Sequence, residues 1–140
     1  MSVYFDASVI VAITVRDVWS IRARTYVIDH QPSPVISDFA AAEVASVINL
    51  RVRTKDLSLA QAQTALSNFD LWRAGATRAC GVTGADIAAA DLFLRRLNLP
   101  LRAPDALHIA VARRLGLEIA TFDTQMALSA KALDVRLAPA

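Results

Sequence analysis

The hydrophobic pattern of the chain switches repeatedly between short apolar runs and helical spacing. Residues 2–5 (SVYF) form a short apolar run of strand-favouring residues, and SVIVAI after Asp6 begins a helix. A helical stretch from about Asp17 to Asp29 carries Val18, Ile21, Ala23 and Val27 and ends before the turn signal HQPSP. Val35 and Ile36 make a short buried strand. Ser37 and Asp38 can each cap the next helix, with Asp38 assigned to capping, and Val44, Val47 and Ile48 give that helix an apolar stripe up to about Thr54. Ser58 and Gln61 read as a capping box for a helix to about Ala74, which Gly75 is expected to stop. Residues 79–82 are a short strand candidate, and Thr83 to Asp86 begins a helix extending to about Leu97. Pro104 suits the first turn of a helix that carries Ala106, Leu107, Ala110, Val111 and Leu115 until Gly116. A strand at 117–121, a short helix near 124–132 and a last strand near 134–137 follow. Strands alternating with helices predict an α/β fold, a parallel sheet of about five strands covered by helices on both faces.

The 140 residues fit one domain spanning 1–140, and 55% hydrophobic content supplies one sizeable core. The longest apolar runs are too short to span a bilayer, so no membrane association is expected. Cys80 is the only cysteine and reads as core. The opening MSVYFDAS lacks the pattern of a secretory signal, and a cytoplasmic setting is expected. The net charge of +2 says little about partners. Thirteen of the 15 cationic residues, however, are arginine, whose flat fork suits phosphate and stacking contacts.

Candidate chemistry lies at strand ends. Asp6 follows the first strand and Asp123 follows LEIAT, so both stand at the carboxyl edge of the sheet, where ligands of open parallel sheets bind. Asp105, in the first turn of its helix, belongs near the same edge. Glu43 lies at the margin of its helix's buried face, where an ionised carboxylate needs a cation or several donors, and it is one of only two glutamates. Four acids held within a few ångströms repel one another unless a divalent metal neutralises them, and an oxygen-only donor set favours Mg²⁺ or Mn²⁺. Phosphodiester hydrolysis uses such a site directly. Each acid also has an ordinary reading: Asp6 and Asp123 as turn formers or helix caps, Asp105 as a complement to its helix dipole, Glu43 as half of an ion pair with an arginine.

Neighbouring residues divide in the same way. Ser8 can orient Asp6 or cap a helix, and Thr121 lies on the same side of its strand as Asp123. His108, three residues after Asp105, reads as a satisfied, partly buried histidine. Arg102, in the loop before Asp105, is the first candidate for contact with a phosphodiester substrate, with Arg16 behind it. Arg51, Arg53 and Lys55 read as a solvated helix end, and Trp19 and Trp72 as packing residues that can also stack on bases.

The segments DAS (6–8), SDFAAAEVASVI with Glu43, LRAPDALHIAVARRLG with Asp105, and TFD ending at Asp123 resemble PIN-domain nucleases over nearly the whole chain. The four acidic positions of the family pattern are all present and in order. The short length resembles toxins of the VapC type. The resemblance implies a three-layer PIN-like fold, a homodimer, and an antitoxin that inserts a C-terminal segment over the active site. It also implies metal-dependent endonucleolytic cleavage of RNA, leaving a 5′-phosphate and a 3′-hydroxyl, with Asp6, Glu43, Asp105 and Asp123 as both metal-holding and catalytic residues. Two alternatives stay open. One is a PIN-like binding module with little turnover. The other is a phosphate-monoester hydrolase of the haloacid-dehalogenase type, which needs a second acid where this chain has Ser8.

Overall fold

In a computed structural model describing residues 1–140, the opening apolar run forms β1 (Ser2–Phe5), a central strand of the sheet. Helices α1 (Ala7–Thr14) and α2 (Ser20–His30) lead to β2 (Ser33–Ser37). Then α3 (Asp38–Arg53) and α4 (Leu59–Ala76) lead to β3 (Arg78–Cys80). Helices α5 (Gly84–Leu94) and α6 (Ala103–Leu115) carry the chain to β4 (Glu118–Ala120), and α7 (Thr124–Ala132) follows. The four strands are parallel in the order β3-β2-β1-β4, with Tyr4 beside Val35 on one side and Ile119 on the other.

Alternation along β1 divides the interior. Val3 and Phe5, with Ile36 of β2, join a core built with α1 to α4. Tyr4, with Ile119 of β4, joins a second core built with α5, α6 and α7. This is the expected three-layer α/β arrangement, because successive strand residues point to opposite faces and each face buries its own helices. Chain order runs outward from β1 to β2 to β3 and then returns to the far side of β1 for β4. The reversal opens a crevice at the carboxyl ends of β1 and β4.

Several local expectations are corrected. Residues 134–137 contribute one isolated bridge, Leu137 to Ile119, rather than a full strand, so the sheet has four strands and a fifth bridging position. Val18 and Ile21 are exposed, and of the apolar positions expected to face the core from this stretch only Ala23 is fully buried. Ser37, not Asp38, caps α3, its hydroxyl accepting from the Ala40 amide at 3.0 Å. Asp38 instead accepts from the Phe39 amide and from the Val82 amide, tying α3 to the loop after β3. Gly75 lies inside the last turn of α4. Gly116 does end α6, at φ 66°, a left-handed conformation that costs glycine nothing.

Candidate active site

The end of β1 delivers Asp6 into the crevice, 2% exposed. Its carboxylate caps α1 through the Val9 amide at 3.2 Å. It also accepts from the Ser8 hydroxyl and the Thr121 hydroxyl, each at 2.6 Å. Ser8 in turn accepts from the Phe122 amide, and Thr121 from the Asp123 amide. The two hydroxyls therefore lock Asp6 to the segment after β4. Burial nevertheless dominates: it pushes the Asp6 carboxyl above the usual carboxylate range, and the bonds from Ser8 and Thr121 only partly oppose the rise.

Glu43 projects from α3, on the helix turn that buries Val44. Its partner is not an arginine but His108 of α6, whose Nε2 bonds the carboxylate. The other ring nitrogen of His108 lies 2.6 Å from the Tyr4 hydroxyl, which is 2.8 Å from Ser37 Oγ. With a neutral imidazole, Nε2–H donates to the Glu43 carboxylate, which leaves Nδ1 to accept from the Tyr4 hydroxyl and Tyr4 to accept from Ser37. His108 is thus a satisfied histidine, as expected, but at 2% exposure it is fully buried. Burial raises the Tyr4 hydroxyl well beyond its ordinary range, so it stays protonated as the donor this chain requires.

Asp105 is held at the start of α6, accepting from the Arg102 amide at 3.1 Å, with the Arg102 guanidinium at 3.5 Å. Asp123 caps α7 through the Gln125 and Met126 amides. The capping readings of Asp6 and Asp123 are therefore correct as far as they go. All four acids, Asp6, Glu43, Asp105 and Asp123, also open onto a single pocket, together with Ser8, Arg102 and His108. Arg16 does not join them; it faces a separate cavity beside Thr14, Leu57 and Gln61. Arg51 is likewise not free in solvent, because it pairs with Asp17 at 3.7 Å and steadies the turn between α1 and α2.

The expected tight cluster is corrected in one respect: no three of the acidic or imidazole groups stand close enough together to form a ready-made metal cage. Each carboxylate has its own set of donors instead. The donor chemistry still fits a hard divalent cation, since Glu43 Oε2, Asp105 Oδ1 and Asp123 Oδ2 have no hydrogen-bond partner and belong to acids bordering the same pocket. Asp17 adds a fifth acid to the wall, against Arg102 as the only arginine or lysine.

Pattern reading missed Tyr4, Ser37 and Asp17 at this site, and named Trp19 only as a packing residue able to stack on bases. A tyrosine in a buried strand was the one available signal, because its hydroxyl must find a partner. The partner, 104 positions away, is set by helix packing.

A parallel α/β protein with a carboxylate-lined pocket at the point where its strand order reverses defines the class of this molecule. The chain belongs to the PIN domain family, whose model matches residues 3–132. It is 31% identical over 135 residues to Ribonuclease VapC46 of Mycobacterium tuberculosis (strain ATCC 25618 / H37Rv), covering 94% of this chain and 92% of that protein. Among solved structures it resembles Mycobacterium tuberculosis VapC20, a Sarcin-Ricin loop cleaving toxin, with a TM-score of 0.74 at 18% identity, over 91% of this chain and 94% of that one. It also resembles VapBC2 from Rickettsia felis bound to a DNA fragment from their promoter, with a TM-score of 0.68 at 14% identity, over 99% of this chain and 98% of that one.

Proposed function

We propose that the chain is a Mg²⁺- or Mn²⁺-dependent endoribonuclease that hydrolyses RNA phosphodiester bonds and serves as the toxin of a toxin-antitoxin pair. Residues 1–140 act as one PIN unit, in the cytoplasm, as a homodimer neutralised by a cognate antitoxin protein. The observation that carries this reading is that acids from four separate parts of the chain open onto one pocket. A phosphodiester does not enter so acidic a pocket unless a cation offsets the charge. Asp6, Glu43, Asp105 and Asp123 would hold that cation, which supplies an activated water and stabilises charge developing on the phosphate.

The chain's own groups do the positioning. Ser8 and Thr121 aim Asp6, His108 aims Glu43, and exposed Arg102 at the rim draws in the RNA backbone. The named activity of the VapC46 relative and the likeness to VapC20, named a cleaving toxin, support the same reading. No helix of the chain is long and apolar enough to cross a membrane.

The test incubates the purified chain with a mixed cellular RNA pool in Mg²⁺, Mn²⁺ or chelator. Cleavage to 5′-phosphate ends, present with metal and lost with chelator and in Asp105→Asn, is the expected result. RNA binding without cleavage in any metal would make the chain a binding module. Release of phosphate from a chromogenic monoester would point to the phosphatase alternative, against which the Ser8 hydroxyl already counts, being engaged with Asp6 and Phe122.

A further inference from the structure

Trp19 has an unusual setting for a tryptophan outside the core. It is 38% exposed and borders both the acid pocket and the adjoining cavity that holds Arg22 and Thr121. Its main chain is pinned: Asp17 accepts from the Trp19 amide at 2.8 Å, and Arg51 holds Asp17 from the far side. Its ring is pinned as well, stacked on Phe122 with centroids 5.1 Å apart and planes 10° from parallel. Phe122 is buried and immediately precedes Asp123.

The Arg22 guanidinium lies 5.8 Å from the Trp19 centroid and 5.4 Å from the Phe122 centroid. These distances nearly equal the ring separation, so the three centres form an almost equilateral triangle. Arg22 stands beside the stacked pair and does not cover the outer face of Trp19. It is held there by a 2.6 Å bond to the Ala140 main-chain oxygen. The indole thus has one face fixed by Phe122 and an outer face that neither Phe122 nor Arg22 covers.

We propose that this outer face is a nucleobase platform: one base of a single-stranded RNA stacks on Trp19 while the adjoining phosphate enters the acid pocket. The proposal rests on the ribonuclease reading above and adds a subsite to it. A flat π-face accepts any of the four bases, so the platform contributes affinity and placement with little sequence preference. A pre-fixed ring loses no rotamer freedom when a base lands on it, which makes a rigid stack more effective than a mobile surface tryptophan. The surroundings favour RNA over an apolar protein segment. The exposed neighbours Val18 and Ile21 do not line the acid pocket, whereas Trp19 does, among Asp17, Asp123 and Arg102.

Steady-state cleavage of a single-stranded RNA oligonucleotide in Mn²⁺ tests this with Trp19→Leu and Trp19→Phe. The expected result is a KM raised about 5- to 100-fold in Trp19→Leu with kcat changed far less, and most of the loss restored in Trp19→Phe. A binding arm keeps the native ring: in Trp72→Phe/Asp6→Asn only Trp19 fluoresces and cleavage is suppressed. RNA should quench that emission, and an oligonucleotide carrying one abasic position at the cleavage site should quench it less and bind more weakly. Wild-type cleavage together with an unchanged KM in Trp19→Leu and no quenching would overturn the platform and leave the ribonuclease reading standing. An unchanged KM with an altered sedimentation coefficient would assign the ring to a contact between copies and also overturn it. A wild-type chain that neither binds nor cleaves RNA would remove the underlying reading and the platform with it.

Discussion

Asp6 and Asp86 are both almost wholly buried, at 2% and 1% exposure, and both sit in the first turn of a helix or just before it. Their surroundings differ in one respect. Asp86 faces Arg114 of α6, with Nε 2.7 Å from one carboxylate oxygen and Nη2 2.9 Å from the other, and it also accepts from the Thr83 amide. Burial pushes the Asp86 carboxyl up, but the Arg114 bonds and the Thr83 amide outweigh it and hold the group below the usual carboxylate range. Asp6 has only neutral hydroxyl and amide donors, and its carboxyl rises. One aspartate completes a structural tie between α5 and α6. The other has no cationic partner at the edge of a pocket, so its charged form is the costly one and a cation bound there would stabilise it.

The largest expected effect comes from removing the carboxylate that has no cationic partner. Asp6→Asn keeps an oxygen for the Val9 amide and the Ser8 hydroxyl, so the cap survives. RNA cleavage should fall about 10²- to 10³-fold, while the metal-free melting temperature at pH 7.5 stays equal or rises. The sign follows from linkage. A carboxyl raised on folding loses stability as pH climbs above its unfolded value of about 4, so any gain in the asparagine variant grows from there toward neutrality. Full cleavage by the variant would sink the functional half of the contrast with Asp86.

Asp86→Asn should behave in the opposite way. Its stabilising contribution is present above pH about 4 and fades as pH drops below that, because its carboxyl is held low only in the fold. The substitution should cost about 1–3 kcal/mol at neutral pH, with Arg114 a third exposed and so partly screened, and distinctly less at about pH 3. Denaturant melts at both pH values read this out. Cleavage per folded molecule should not change, and a loss of activity in the folded variant would erase the distinction between the two acids.

His108 lies between these extremes, structural in its burial and functional in its partner. His108→Gln should lower activity or cation affinity about 10- to 100-fold by freeing Glu43, and Tyr4→Phe should do the same more mildly, since it removes one donor to His108. Cation titration monitored by thermal shift separates this from simple destabilisation, which would lower the melting temperature without weakening the cation-induced increment.

The smallest effect is expected at the exposed rim. Arg102→Ala should leave the unfolding free energy within about 0.5 kcal/mol of wild type, since its side chain is mostly solvated. RNA binding should weaken, and the dependence of affinity on salt should flatten by about one unit of slope. An unchanged slope would move the RNA backbone away from this side of the pocket.

Much of this organisation was legible along the chain. The apolar run at 2–5 and the capping signals at Ser58 and Thr83 located their elements, because strand alternation and helix capping are short-range effects. The positions of Asp6 and Asp123 just past strands placed them at the same edge, since parallel strands share a direction. Residues 134–137 misled because one bridge to Ile119 satisfies that segment where pattern alone implies a ladder. Arg16 misled because a residue close in sequence to the first helix can face either side of the turn that follows.

Identity and order of the acids, the α/β class and the carboxyl edge were therefore determined by the sequence itself, through local propensity and period. Which acid meets which partner was decided only by the tertiary structure. Glu43 finds His108 from 65 positions away, Asp6 finds Thr121 from 115, and Asp86 finds Arg114 from 28. Nothing in the local chemistry of an aspartate says whether packing will bring it an arginine, a hydroxyl or an open pocket. Burial, charge compensation and hence pKa are set by contacts between elements, and those exist only once the helices have closed on both faces of the sheet.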